Sequence, residues 1–127
     1  MKSFIDLLSE ANSEIKTISV DELKLISDDP QTQIIDVQSK DVIDNSGMIP
    51  NAIHANRGFL EFYADQREDN PFRKSEINNE KKIIVYCGAG GQGALATKTL
   101  QDMGFKDVSN LAGGSEAWLK AGNKLVK

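Results

Sequence analysis

Cysteine and histidine each occur once in the 127-residue chain, as Cys87 and His54. A single cysteine excludes an internal disulfide and an all-cysteine zinc site, and a single histidine excludes a histidine-rich metal centre. Long apolar runs are missing as well. The longest span four or five residues, against the roughly 20 that a membrane-crossing helix requires. The opening Met1-Lys2-Ser3-Phe4-Ile5-Asp6 meets an acid before a secretory apolar stretch can develop. Positive charge is in deficit, with 15 Lys+Arg against 19 Asp+Glu and a net charge of −4. Such a chain has no basic field to gather phosphates along a duplex, so nucleic-acid binding is not expected. With 39% hydrophobic residues, a chain of this length buries about two-thirds of its unfolded surface and needs no disulfide or structural metal to stand. The expectation is one soluble, cytoplasmic α/β domain that binds neither membrane nor nucleic acid.

The apolar pattern places the elements. Phe4, Leu7, Leu8, Ala11 and Ile15 form one helical stripe over Ser3–Ile15, and Ser3 with Asp6 has capping-box spacing. Ser19 and Glu22 repeat that signature ahead of a second helix carrying Leu23 and Ile26, which Asp28-Asp29-Pro30 stops. Gln33-Ile34-Ile35-Asp36-Val37 reads as a buried parallel strand with an acid inside it. A short helix over Lys40–Asp44, a short strand over Ala52–His54 and a helix over Phe59–Gln66 follow. Residues 65–82 hold ten charges in eighteen positions and read as a solvated excursion. Ile83-Ile84-Val85-Tyr86 is the strongest strand. A helix over Ala94–Met103, with Ala96, Leu100 and Met103 on one face, is followed by a strand over Asp107–Leu111. The last helix, Ser115–Ala121, is anchored by Trp118. Strands that alternate with helices predict a parallel sheet covered on both faces.

Four of the ten glycines lie within the six residues after Cys87, in Gly88-Ala89-Gly90-Gly91-Gln92-Gly93. A strand running into a glycine-rich loop and then a helix makes a pocket of inward N–H groups at the carboxyl edge of the sheet. A cysteine at the mouth of that pocket has its thiolate favoured and becomes a nucleophile. The competing reading is a small buried apolar residue at a strand end; the glycine cluster favours the reactive thiol. Gly88, Gly90 and Gly93 also match the dinucleotide spacing G-x-G-x-x-G, but the 34 residues after Gly93 are too few for that fold. A P-loop fails because Ala94-Leu95 stands where Lys-Ser/Thr is needed. A cysteine phosphatase fails because the sixth residue after the cysteine is Gly93, not a phosphate-clamping arginine.

Four segments together resemble the single-domain rhodaneses. They are Ile34-Ile35-Asp36-Val37, Gly47-Met48-Ile49-Pro50-Asn51-Ala52, Ile83-Ile84-Val85-Tyr86-Cys87, and Leu111-Ala112-Gly113-Gly114 with Trp118. Their order and spacing match over roughly residues 17 to 122, within a domain reading of 17–127 preceded by an N-terminal helix in 1–16. Arg57-Gly58-Phe59-Leu60-Glu61-Phe62 looks like a subgroup of small bacterial-type members. The resemblance implies a five-stranded parallel sheet flanked by helices on both faces. It also implies sulfurtransferase chemistry without a cofactor. Cys87 would take a sulfane sulfur from thiosulfate or a persulfide and pass it to a thiol, cyanide or a protein acceptor, with Gly88, Ala89, Gly90, Gly91, Gln92 and Gly93 holding the persulfide. A non-catalytic rhodanese-like binding module is the alternative.

The departures lie around the anion. Where active members of the subgroup carry arginine and then serine, this chain has Gln92 and Gly93, and the usual arginine after Asp36-Val37 is Gln38. Met48 stands for a histidine, and Asn51 for a common glycine. Replacing a guanidinium by an amide predicts weak thiosulfate recognition. Arg57 is a candidate substitute for the missing loop arginine, with a surface ion pair as the competing reading. Asp36 is expected to support the loop by bonding its N–H groups rather than to act as a base, and His54 to be structural.

Overall fold

Two capping boxes start the first two helices. The Ser3 hydroxyl accepts the Asp6 N–H at 3.1 Å while the Asp6 carboxylate accepts the Ser3 N–H at 2.9 Å, opening α1 (Phe4–Glu14). Ser19 and Glu22 exchange the same bonds, both 3.1 Å, ahead of α2 (Val20–Ile26). Four of each helix's first N–H groups lack an intrahelical partner, so reciprocal caps mark a start that propensity alone leaves open. The computed structural model describes residues 1–127. The remaining elements are β1 (Lys16–Ile18), β2 (Thr32–Asp36), α3 (Lys40–Ser46), β3 (Ala52–His54), α4 (Leu60–Ala64), β4 (Lys82–Tyr86), α5 (Gly91–Asp102), β5 (Val108–Leu111) and α6 (Gly114–Lys120). No helix is long and apolar enough to cross a membrane.

The five strands form one parallel sheet in the order β1-β5-β4-β2-β3. Alternation along β2 and β4 divides the core in two. Ile35, Ile83, Val85 and Cys87 face Leu60, Ala64, Ala96 and Leu100, whereas Ile34, Ile84 and Tyr86 face Leu23, Ile49 and Trp118. Both faces are therefore covered, and the central strands read as unbroken apolar runs because neither side meets water. Cys87, the residue after β4, continues the alternation toward the α5 face. Asp36 and Tyr86 are paired in register across β2 and β4.

Three expectations need correction. The α1 stripe is mostly outside: only Ala11 is buried, and Phe4 is 70% exposed. α1 packs on α5, which already covers the sheet, so the outer helix has one narrow contact line. Met103, the C-terminal cap of α5, is exposed rather than core. The excursion over 65–82 is anchored, because Ile77 is fully buried and its carbonyl accepts from Gln66 Nε2 at 2.7 Å. Arg73 reinforces that anchor with two 3.1 Å bonds to Gln66. A charged composition hid one inward residue.

Asn51 explains a departure from the family pattern. It holds a left-handed φ of 74°, which glycine reaches freely and asparagine reaches more readily than other side chains. Its amide nitrogen donates to the Ser27 carbonyl at 3.0 Å and to Asp28 at 3.1 Å, securing the turn before β3.

Candidate active site

The chain leaves β4 at Tyr86, passes Cys87 and turns through Gly88-Ala89-Gly90. Gly90 adopts φ +114°, and its carbonyl then accepts the Ala94 N–H at 2.9 Å as the first bond of α5. The helix begins at Gly91, three residues before the expected Ala94. Once the positive φ has reversed the chain, nothing stops helical winding, and glycine costs little in a first turn where its N–H has no helical acceptor. Gly91, Gln92 and Gly93 are thus helix residues, not loop.

Cys87 Sγ takes the position that a capping hydroxyl occupies elsewhere. It accepts the Gly90 N–H at 3.0 Å and the Gly93 N–H, third in the helix, at 3.2 Å. The side chain lies under the turn with only 4% of its surface exposed, deeper than the pocket mouth expected from sequence. The N–H groups of Ala89, Gly91 and Gln92 have no acceptor in the chain. Together with the α5 N-terminus they present partial positive charge beside the sulfur.

The loop is held from below by α6. Ser115 and Glu116 donate their N–H groups to the carbonyls of Cys87 and Gly88, at 2.8 and 3.0 Å. A Cβ at Gly114 would overlap the Cys87 carbonyl oxygen, and Gly114 has φ +58°. Gly113-Gly114 is therefore more than the turn that its sequence suggests: it brings one helix N-terminus against the backbone of the Cys87 turn. A groove of about 670 Å³ lies along the outer side of that turn, lined by Ala89, Gly113, Ala117 and Leu119, with Glu116 and Lys120 at its sides.

Asp36 supports the loop at one remove. Its Oδ1 accepts the Gln38 N–H at 2.8 Å, and it does not touch the loop itself. The Gln38 amide bridges the gap when oriented with its oxygen on the Gly88 N–H at 3.2 Å and its nitrogen on Asp36 Oδ2 at 3.3 Å. Gln38 at the usual arginine position thus serves as a relay, which sequence reasoning missed. Burial holds the Asp36 carboxyl above the ordinary 3.8, against the opposing pull of the Tyr86 hydroxyl, the Gln38 N–H and His54. Burial likewise pushes Tyr86 far above the usual phenol range, and its oxygen accepts the Ile49 N–H at 3.0 Å. His54 Nε2 lies 2.7 Å from the Gln38 carbonyl oxygen, a structural contact that steadies the same residue.

Arg57 is engaged by two side chains. Its guanidinium donates to Thr99 Oγ1 at 3.0 Å and pairs with Glu61 at 3.4 Å, tying the turn after β3 to the flank of α5. It is not among the groups bonded to Sγ. Gln92 is exposed and free of side-chain bonds within the chain.

Known proteins share this fold. The family model for the rhodanese-like domain matches residues 19–121. The chain is 33% identical over 106 residues to YtwF of Bacillus subtilis, a candidate sulfurtransferase, covering 83% of this chain and 91% of that one. It is 31% identical over 85 residues to the thiosulfate sulfurtransferase GlpE of Coxiella burnetii, covering 67% and 69% respectively. A solved structure from Rhodopseudomonas palustris, RPA3614, described as of unknown function and a possible tyrosine phosphatase, aligns with a TM-score of 0.89 at 33% identity. The alignment covers 99% of this chain and 96% of that chain. A five-stranded parallel sheet with helices on both faces, the ordered motifs and the family match agree: this chain belongs to the rhodanese-like family.

Proposed function

We propose that the protein is a sulfurtransferase that carries a sulfane sulfur on Cys87. The observation that carries this reading is the seat of Sγ, with two N–H donors on the sulfur and three more unengaged around it. In the first step the Cys87 thiolate attacks the sulfane sulfur of the donor, forming the Cys87 S–S bond. From thiosulfate, sulfite leaves with the electron pair of the broken bond; from a persulfide, a thiolate leaves. In the second step a thiol, cyanide or a protein nucleophile attacks the outer sulfur and Cys87 departs as thiolate. Dividing the transfer gives two displacements at sulfur and ping-pong kinetics. The N–H groups of Ala89, Gly91 and Gln92 would serve the outer sulfur as an oxyanion hole serves oxygen. No metal or organic cofactor enters the reaction.

The donor preference follows from Gln92. Thiosulfate carries two negative charges, and a neutral amide beside the cradle supplies none of the charge-assisted bonds of a guanidinium. We infer weak thiosulfate binding and better use of a small-molecule or protein-bound persulfide. Sub-millimolar thiosulfate affinity in steady-state assay would overturn that inference. The same substitution favours the second reading, a module that binds a partner without turnover. Phosphatase chemistry is disfavoured, because Gly93 offers no guanidinium where a phosphate would sit.

Intact-mass measurement under non-reducing conditions tests the assignment. Wild type incubated with thiosulfate, or separately with a low-molecular-weight persulfide, is expected to gain one sulfur atom. Cys87→Ser is expected to gain none. No gain from either donor leaves the binding module as the better account.

A further inference from the structure

One buried amide touches both residues that hold the sulfur. Asn110, on β5, is 4% exposed, and its Nδ2 donates to the Gly90 carbonyl at 3.2 Å. That carbonyl also accepts from Ala94, so Gly90 is pinned from two sides at its positive φ. Asn110 Oδ1 is buried without a hydrogen-bond partner and occupies the space that a Cβ at residue 93 would need. Swapping the amide would turn oxygen toward the Gly90 carbonyl oxygen, so the Gly90 bond fixes which end faces Gly93. A buried acceptor left without a donor costs stability. The site keeps that cost, and in return Asn110 contacts the two positions whose N–H groups reach Cys87 Sγ.

We propose that Asn110 is a positioning residue for sulfur transfer, coupled to Gly93. Its Nδ2 holds the Gly90 carbonyl, and its Oδ1 stands where a side chain at residue 93 would begin, so a side chain there must displace the amide that holds Gly90. This rests on the assignment of Cys87 as sulfur carrier.

A double-mutant cycle tests it with Asn110→Ala, Gly93→Ser, their combination and wild type, all checked for folding by thermal melting. Sulfur loading of Cys87 is followed by mass against time, and iodoacetamide modification of Cys87 is followed separately. Asn110→Ala is expected to slow loading about tenfold, in kcat rather than KM, because the donors shift while the outer N–H groups remain. It is expected to speed alkylation several-fold as the turn loosens over the buried sulfur. Gly93→Ser is expected to be at least as harmful alone, yet to add nothing on the Asn110→Ala background. If Asn110→Ala does not fold, Asn110→Ser takes its place. Wild-type loading and alkylation rates in Asn110→Ala, or equal costs of Gly93→Ser on both backgrounds, would overturn the pairing. If wild type itself gains no sulfur, the carrier assignment fails, and alkylation across the four proteins still decides the coupling.

Discussion

At the scale of single residues, the proposed sulfur transfer assigns position 92 to donor binding and Cys87 to the chemistry. Gln92 stands in the first turn of α5, exposed and next to the unengaged N–H groups. Gln92→Arg places a guanidinium there, worth about 1–3 kcal/mol toward a dianion. The expected result is a rise of about ten- to a hundredfold in kcat/KM for thiosulfate, with a neutral persulfide donor changed little. An equal rise for both donors would mean that the arginine acts on the loop rather than on donor charge. Gly114 poses the opposite problem, since its role is to have no side chain. Gly114→Ala must move the Cys87 carbonyl and also hold φ +58°, at a cost of about 2–4 kcal/mol. A urea midpoint within experimental error of wild type would exclude that role for the glycine.

At the scale of elements, the helices contribute unequally. α5 and α6 both point their N-termini at one turn, α5 through the N–H groups on Sγ and α6 through those on the Cys87 and Gly88 carbonyls. The backbone between them is held from both sides without a charged side chain. α1 is a peripheral layer whose sequence overstates its burial. Lys98 bonds Glu14 at 3.2 Å and Gln101 reaches the Glu14 carbonyl at 3.1 Å, so the C-terminal half of α1 is the attached half. Phe4→Ser is therefore expected to change stability by less than about 0.5 kcal/mol. Ala11→Leu, crowding the contact line with α5, is expected to cost about 1–3 kcal/mol. Comparison of the two urea midpoints checks this; a larger loss from Phe4→Ser would place the apolar stripe in the core after all.

At the scale of the whole molecule, the buried Asp36–Tyr86 pair links stability to pH. A carboxyl raised in the folded state binds protons there more readily than in the unfolded chain. Between the ordinary 3.8 and the raised value, the native state holds more protons, so this group's contribution is complete below that interval and lost as pH rises through it. Asp36→Asn keeps an oxygen for the Gln38 N–H and removes the ionisation. Its stability relative to wild type is expected to improve as pH rises above the ordinary 3.8 and to level off once the raised value is passed, read from urea midpoints across a pH series. A difference independent of pH would show that Asp36 ionises in the fold as freely as in the unfolded chain.

Elements and their order were legible in the sequence because each is declared locally: capping boxes at Ser3 and Ser19, apolar strands at 34–37 and 83–86, a glycine cluster after Cys87. The candidate nucleophile was legible for the same reason, since strand, cysteine and glycines are contiguous. The tertiary structure decided which polar groups meet across the sheet. Asn110 stands 20 residues from Gly90, and Gln38 stands 50 residues before Gly88, separations at which no periodicity relates one residue to another. Ile77, hidden among charges, became core only when the excursion folded back onto Gln66. Local rules specify where a chain turns and what each segment can bury. Contacts between residues far apart in the chain exist only after strands have paired in register, and the supports that Gln38, Asn110 and α6 give the Cys87 turn are such contacts.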